Sequence, residues 1–83
     1  MEKFLHYLVS NIVNHPDEIE ITQELTGNQL TYFLKVNSED MGQIIGKHGK
    51  IIASLRHLIK LKNQITPEQE NVTLQLIDQA AQS

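Results

Sequence analysis

The chain has 83 residues, 40% of them hydrophobic and 20% charged, and a formal net charge of −3. That length suits one small domain with one thin core, and the composition excludes both a disordered chain and a membrane-built one. Cysteine is absent, which excludes a disulfide framework and a thiolate metal site as supports for the fold.

Met1-Glu2-Lys3-Phe4-Leu5-His6-Tyr7 lacks the uninterrupted apolar core of a secretory signal, so the expected compartment is the cytoplasm, with no membrane insertion. Phe4, Leu5, Leu8, Val9, Ile12 and Val13 fall on one stripe of an amphipathic helix that should stop near His15-Pro16. From Asp17 to Leu25 the pattern becomes a strand, with Ile19, Ile21 and Leu25 inward and Glu18, Glu20, Thr22 and Glu24 outward. Gly27-Asn28 is a tight-hairpin signal, and Leu30, Tyr32, Leu34 and Val36 form the inward face of the returning strand, leaving Thr31, Phe33 and Lys35 outward.

Asn37-Ser38-Glu39-Asp40 can cap a short helix running to about Ile45, with Ser38 as the expected N-cap. A Gly46-Lys47-His48-Gly49 turn follows, and then a second helix carries Ile52, Leu55, Leu58 and Ile59 at helical spacing until Asn63-Gln64-Ile65-Thr66-Pro67 ends it. After a loop to Asn71, Val72, Leu74 and Leu76 alternate with Thr73 and Gln75 as the last strand. The predicted order is α-β-β-α-α-β, an α+β domain whose three-stranded mixed sheet is covered on one face by three helices. The first strand is expected at the centre, the domain is expected to span residues 1–78, and residues 79–83 should be a frayed tail.

Charge is unevenly distributed. Between Met41 and Pro67 lie Lys47, Lys50, Arg56, Lys60 and Lys62 with no acid, five of the seven cationic residues of an otherwise acidic chain. Such asymmetry favours an anionic ligand on one face, against the plain alternative of a solvated helix face. Glycine at each end of the turn allows a sharp bend and close approach of the backbone to a ligand, while the two middle residues project outward. Amides at the start of the following helix, the helix dipole, Lys47 and Lys50 together suit a phosphate group.

The spacing is wrong for a nucleotide P-loop. Only three residues separate Gly42 from Gly46, and His48 stands where a metal-binding hydroxyl is required. His6, His15, His48 and His57 lack the spacing of a metal site, no nucleophile-base pair is present, and neither a cofactor nor a small-molecule substrate is expected. Glu18, Glu20 and Glu24 read as the solvated side of a strand.

The run Glu39-Asp40-Met41-Gly42, Ile44-Ile45-Gly46-Lys47-His48-Gly49-Lys50 and then Leu55-Arg56, with the element order before it, resembles the KhpA (YlqC) family of small bacterial RNA-binding proteins. The resemblance covers nearly the whole chain and implies a type II KH domain, whose GxxG loop clamps about four nucleotides of a single strand. It implies RNA contacts from Ile45, Gly46, Lys47, His48, Gly49, Lys50 and Ile52. Ile45 and Ile52 are either groove floor or core.

It also implies a homodimer or a pairing with a KhpB (Jag)-type KH protein, and a chaperone or post-transcriptional role linked to cell elongation and division. Arg56 is either a second phosphate ligand or, as favoured here, a subunit contact, and Phe33 is a second candidate contact. Glu68 and Glu70 are expected to make one rim of the groove acidic. Single-stranded DNA is an open alternative ligand, and a protein-interaction module with little RNA affinity is the competing class.

Overall fold

The computed structural model describes residues 1–69 and 71–77. Its elements are α1 (Glu2–Ser10), β1 (Glu20–Thr26), β2 (Gln29–Lys35), α2 (Met41–Ile45), α3 (Lys50–Ile65) and β3 (Asn71–Leu76). The α-β-β-α-α-β order and the mixed sheet are as predicted. Residue 70 and the tail proposed for residues 79–83 lie outside the described residues.

The sheet order is β1-β2-β3, so β2 and not β1 is central, which corrects the expected order. β1 pairs antiparallel with β2 through the Gly27 turn, and β3 pairs parallel with β2 across the long crossover that contains α2 and α3. Flanked on both sides, β2 buries Leu30, Tyr32 and Leu34, and Val36 directly after it is buried too. β1, at the edge, contributes only the half-buried Ile21, and Leu25, on the inward face at its far end, is nonetheless 56% exposed. Across the pair, Gln23 stands opposite Tyr32 and Leu25 opposite Leu30, so a polar residue interrupts the inward row of β1.

Three helices cover that inward face. Leu5 and Val9 of α1, Ile44 of α2 and Ile52, Leu55 and Ile59 of α3 join the β2 residues, Val13, Val72 and Leu74 in one buried cluster. Each such aliphatic side chain stabilises the fold by about 1.5–3 kcal/mol relative to leaving it in water.

Three boundaries differ from the periodicity. α1 ends at Ser10, ahead of the predicted stop, and bonds from Ile12 and Val13 to the Val9 carbonyl carry the stripe round a looser turn. Pro16–Glu18 forms a 3-10 turn before β1 begins, and there Glu18 accepts a hydrogen bond from Asn37 at 2.9 Å. Asn37 rather than Ser38 caps the next segment: its side chain accepts from the Glu39 amide at 2.8 Å, because a 3-10 turn over Ser38–Asp40 precedes α2.

Candidate nucleic-acid interface

The glycine turn sits between two helix ends. α2 is five residues long and closes with Gly46 donating to the Gly42 carbonyl at 2.9 Å. Gly46 takes φ 75, ψ 174, a region open to glycine alone, and Gly49 takes the left-handed φ 72, ψ 18. His48 is the sole non-glycine residue at positive φ among the described residues, at φ 58, ψ 26, in the left-handed region where histidine is enriched. The turn is held by the Gly49 amide donating to the Gly46 carbonyl at 3.1 Å.

Space constrains the two glycines differently. A Cβ on Gly46 would lie 2.5 Å from Cγ1 of Ile51, whereas one on Gly49 would meet nothing within 4 Å. Gly46 is required by both backbone angle and contact, Gly49 by angle alone.

Directly beyond the turn, the Lys50 amide donates to the Lys47 carbonyl, and α3 starts with no side chain capping its N-terminus, so the positive end of a 16-residue dipole lies beside Lys47, His48 and Lys50. All three side chains are exposed. Among the described residues no acid forms an ion pair with Lys47, Lys50, Arg56 or Lys60. Lys62, the fifth cation of the acid-free segment, lies 5.6 Å above the Phe4 ring of α1 and is drawn away from the turn.

The apolar residues separate. Ile45, at the end of α2, is 39% exposed beside the turn, while Ile52 is 7% exposed and belongs to the core, so of the two floor candidates only Ile45 presents surface. Ile51, which the sequence reading did not single out, is 37% exposed and packs on Gly46. Its signal was available: an apolar residue on α3 one position out of the buried register.

Arg56 and Phe33 do not share a face. Phe33 is half-buried on the sheet face opposite the helices, opposite Thr22 of β1 and Gln75 of β3. Arg56 projects from α3 towards β3 and donates from Nε to the Leu74 carbonyl at 3.1 Å. One turn further along, Lys60, Asn63 and Gln64 line a pocket of about 230 Å³ with Asn71 and Val72. Arg56 thus lies on α3 between the turn and that pocket, against the outer edge of β3.

Two acids are held by hydrogen bonds within the fold. The Glu68 carboxylate accepts from the Tyr32 hydroxyl at 2.6 Å and from the Met1 amine at 3.0 Å. Burial works to raise its pKa, but those two hydrogen bonds and the amine's charge outweigh it and hold the carboxyl below its ordinary range. Burial first, and then the bond to Glu68 and the negative charge of Glu68 and Glu2, push the Tyr32 phenol up. The other proposed rim acid, Glu70, lies outside the described residues. Asp40, fully buried ahead of α2, accepts from the amides of Asn14 at 3.1 Å and His15 at 3.0 Å and so ties the α1–β1 connection to the start of α2.

No helix among the described residues is long and apolar enough to cross a membrane, and no group of three metal-ligating side chains converges among them.

Comparison with known proteins adds three findings. A family model described as "KhpA/KhpB, KH domain" matches residues 2–76. RNA-binding protein KhpA of Listeria monocytogenes is 44% identical over 59 residues, covering 71% of this chain and 78% of its own length. The KhpA proteins of Chlamydia trachomatis and Halalkalibacterium halodurans are 39% and 30% identical, the second over 94% of this chain and its own full length. No solved structure matches.

Proposed function

Because the chain belongs to the KhpA/KhpB family of KH domains, we propose that it is a non-enzymatic binder of single-stranded RNA that grips the sugar-phosphate backbone at Gly46–Gly49. The observation that carries this reading is the turn itself. Two positive-φ glycines bring the backbone close to a ligand and deliver it to the uncapped start of α3, with Lys47, His48 and Lys50 exposed around it. Phosphate recognition there draws on amides, dipole and two mobile ammonium groups, and needs no metal. Ile45 and Ile51 supply exposed apolar surface beside the turn for base faces.

The domain works in the cytoplasm as a homodimer or beside a KhpB (Jag)-type KH subunit, in RNA chaperoning or post-transcriptional control linked to cell elongation and division. Pairing is supported by the small number of cations at one turn: two clamps on one strand raise the effective affinity without new contacts. It is also supported by Leu58, Leu61 and Ile65, apolar residues of α3 that are 38%, 40% and 78% exposed. Those same residues favour the second reading, a protein-interaction module on a KH scaffold.

Replacing Lys47 and His48 together by aspartate separates the two readings. RNA binding should be lost while the circular-dichroism spectrum and melting temperature stay close to wild type. Retained affinity would remove the clamp assignment, and an absence of RNA affinity in the wild type would favour the interaction module. A parallel titration with matched DNA oligomers decides whether a 2′-hydroxyl is required.

A further inference from the structure

At the edge of β3, α3 places one arginine whose hydrogen bonding leaves a defined set of donors free. Asn71 donates its amide to Asn28 at 3.1 Å and Ile77 to Leu34 at 2.8 Å, so the odd-numbered residues of β3 bond to β2. Parallel pairing alternates along the strand, which turns the amide and carbonyl of Val72, Leu74 and Leu76 to the open edge. Arg56 already uses one of these groups, the Leu74 carbonyl, through Nε.

That bond fixes the guanidinium at the strand edge. With Nε engaged, what remains is the end of the fork, the two Nη groups with their parallel N–H donors. Arg56 lies about 10 Å along α3 from Gly49, beyond the group that the turn would hold and ahead of the pocket that Lys60 and Asn63 line. A strand clamped by its backbone at the turn would carry its next bases past this position, where neighbouring N–H groups of the β3 edge also point outward.

We propose that Arg56 is a specificity-determining residue that selects a base presenting two adjacent acceptors. Guanine offers O6 and N7 to such a fork, and cytosine offers O2 and N3. Adenine and uracil place a donor beside each acceptor and leave one Nη unmatched. The inference rests on the RNA-binding reading above and goes beyond it by naming what this position distinguishes.

The test uses uridine octamers carrying a single guanine, cytosine or adenine at each position in turn, titrated by fluorescence anisotropy against the wild type and Arg56→Lys. Lysine keeps the charge and loses the fork. The wild type should bind guanine or cytosine at one position ~10-fold more tightly than adenine or uracil there, and which of the two wins is read directly. Arg56→Lys should reduce that ratio to within about twofold, yet bind the all-uridine octamer within about threefold of wild type.

A preference that survives Arg56→Lys overturns the proposal. So does an equal loss of affinity for every octamer, which marks a phosphate contact, or a loss that tracks a fallen melting temperature, which marks a structural bond between α3 and β3. A wild type that binds all octamers without preference overturns the role of Arg56 alone. A wild type that binds none overturns the RNA reading with it.

Discussion

Gly46 and Ile51 meet so closely that a Cβ on the glycine would lie 2.5 Å from Cγ1 and 2.8 Å from Cβ of the isoleucine. The first glycine of the turn is therefore as much a packing residue as a turn residue. Gly46→Ala combines a glycine-only backbone angle with a steric overlap close to the Ile51 backbone, and should destabilise the domain by about 2–4 kcal/mol. Gly49→Ala meets no neighbour and should cost about 1–2 kcal/mol. Urea denaturation measures both, and adding Ile51→Ala should recover part of the loss in the first variant and none in the second.

Asp40 should prove essential to the placement of the glycine turn although it touches no part of it. Its two carboxylate oxygens hold the amides of Asn14 and His15, and Asp40→Asn leaves one buried amide facing another N–H. A cost of about 1–3 kcal/mol is expected by chemical denaturation. The amide resonances of Gly46 and Gly49 should shift as well, since α2 is only five residues long and transmits the displacement. Unmoved resonances would confine Asp40 to the α1–β1 connection.

Stability should fall on both sides of neutrality through one hydrogen bond. The Glu68 carboxyl is held low, so its contribution is complete above the ordinary carboxylate range and is lost as pH falls through its folded pKa. The Tyr32 phenol is raised, so its contribution is complete below the ordinary phenol value near 10 and is lost as pH rises from there. Melting temperature against pH should show a plateau between about pH 5 and 9. Glu68→Gln should flatten the acid limb, and Tyr32→Phe the alkaline one.

The salt dependence of RNA binding should be shallow. With roughly three phosphates held by one turn, log K should fall with log salt at a slope of about −2. Lys50→Gln should bring the slope nearer zero by about 0.7. A wild-type slope near zero would point to a protein as the true ligand.

Much of the fold was legible in the residues because β2 alternates without a break and every inward member, from Leu30 to Leu34, is buried. Strand order was not, since alternation says which face a residue takes and nothing of its lateral neighbours. One clue was present: Gln23 falls between Ile21 and Leu25 in the inward row of β1, a position that an edge strand tolerates better than a central one. The sharp turn at Gly46–Gly49 was legible from its glycine spacing. The bond from Arg56 to Leu74 was not, because it joins residues 18 apart in sequence and exists only once β3 has docked. Asp40 likewise reads as a helix-start acid, and its partners 25 and 26 residues away appear only in the fold.

The parallel register of β2 and β3 also sets an order of events. The β1–β2 hairpin closes across a two-residue turn, whereas Leu30 must wait for Val72 before the second ladder begins. Everything that would grip RNA lies within that wait. A chain emerging from the ribosome thus gains its hairpin early and its third strand last, and a product cut short before β3 would carry the glycine turn with no strand edge to face it.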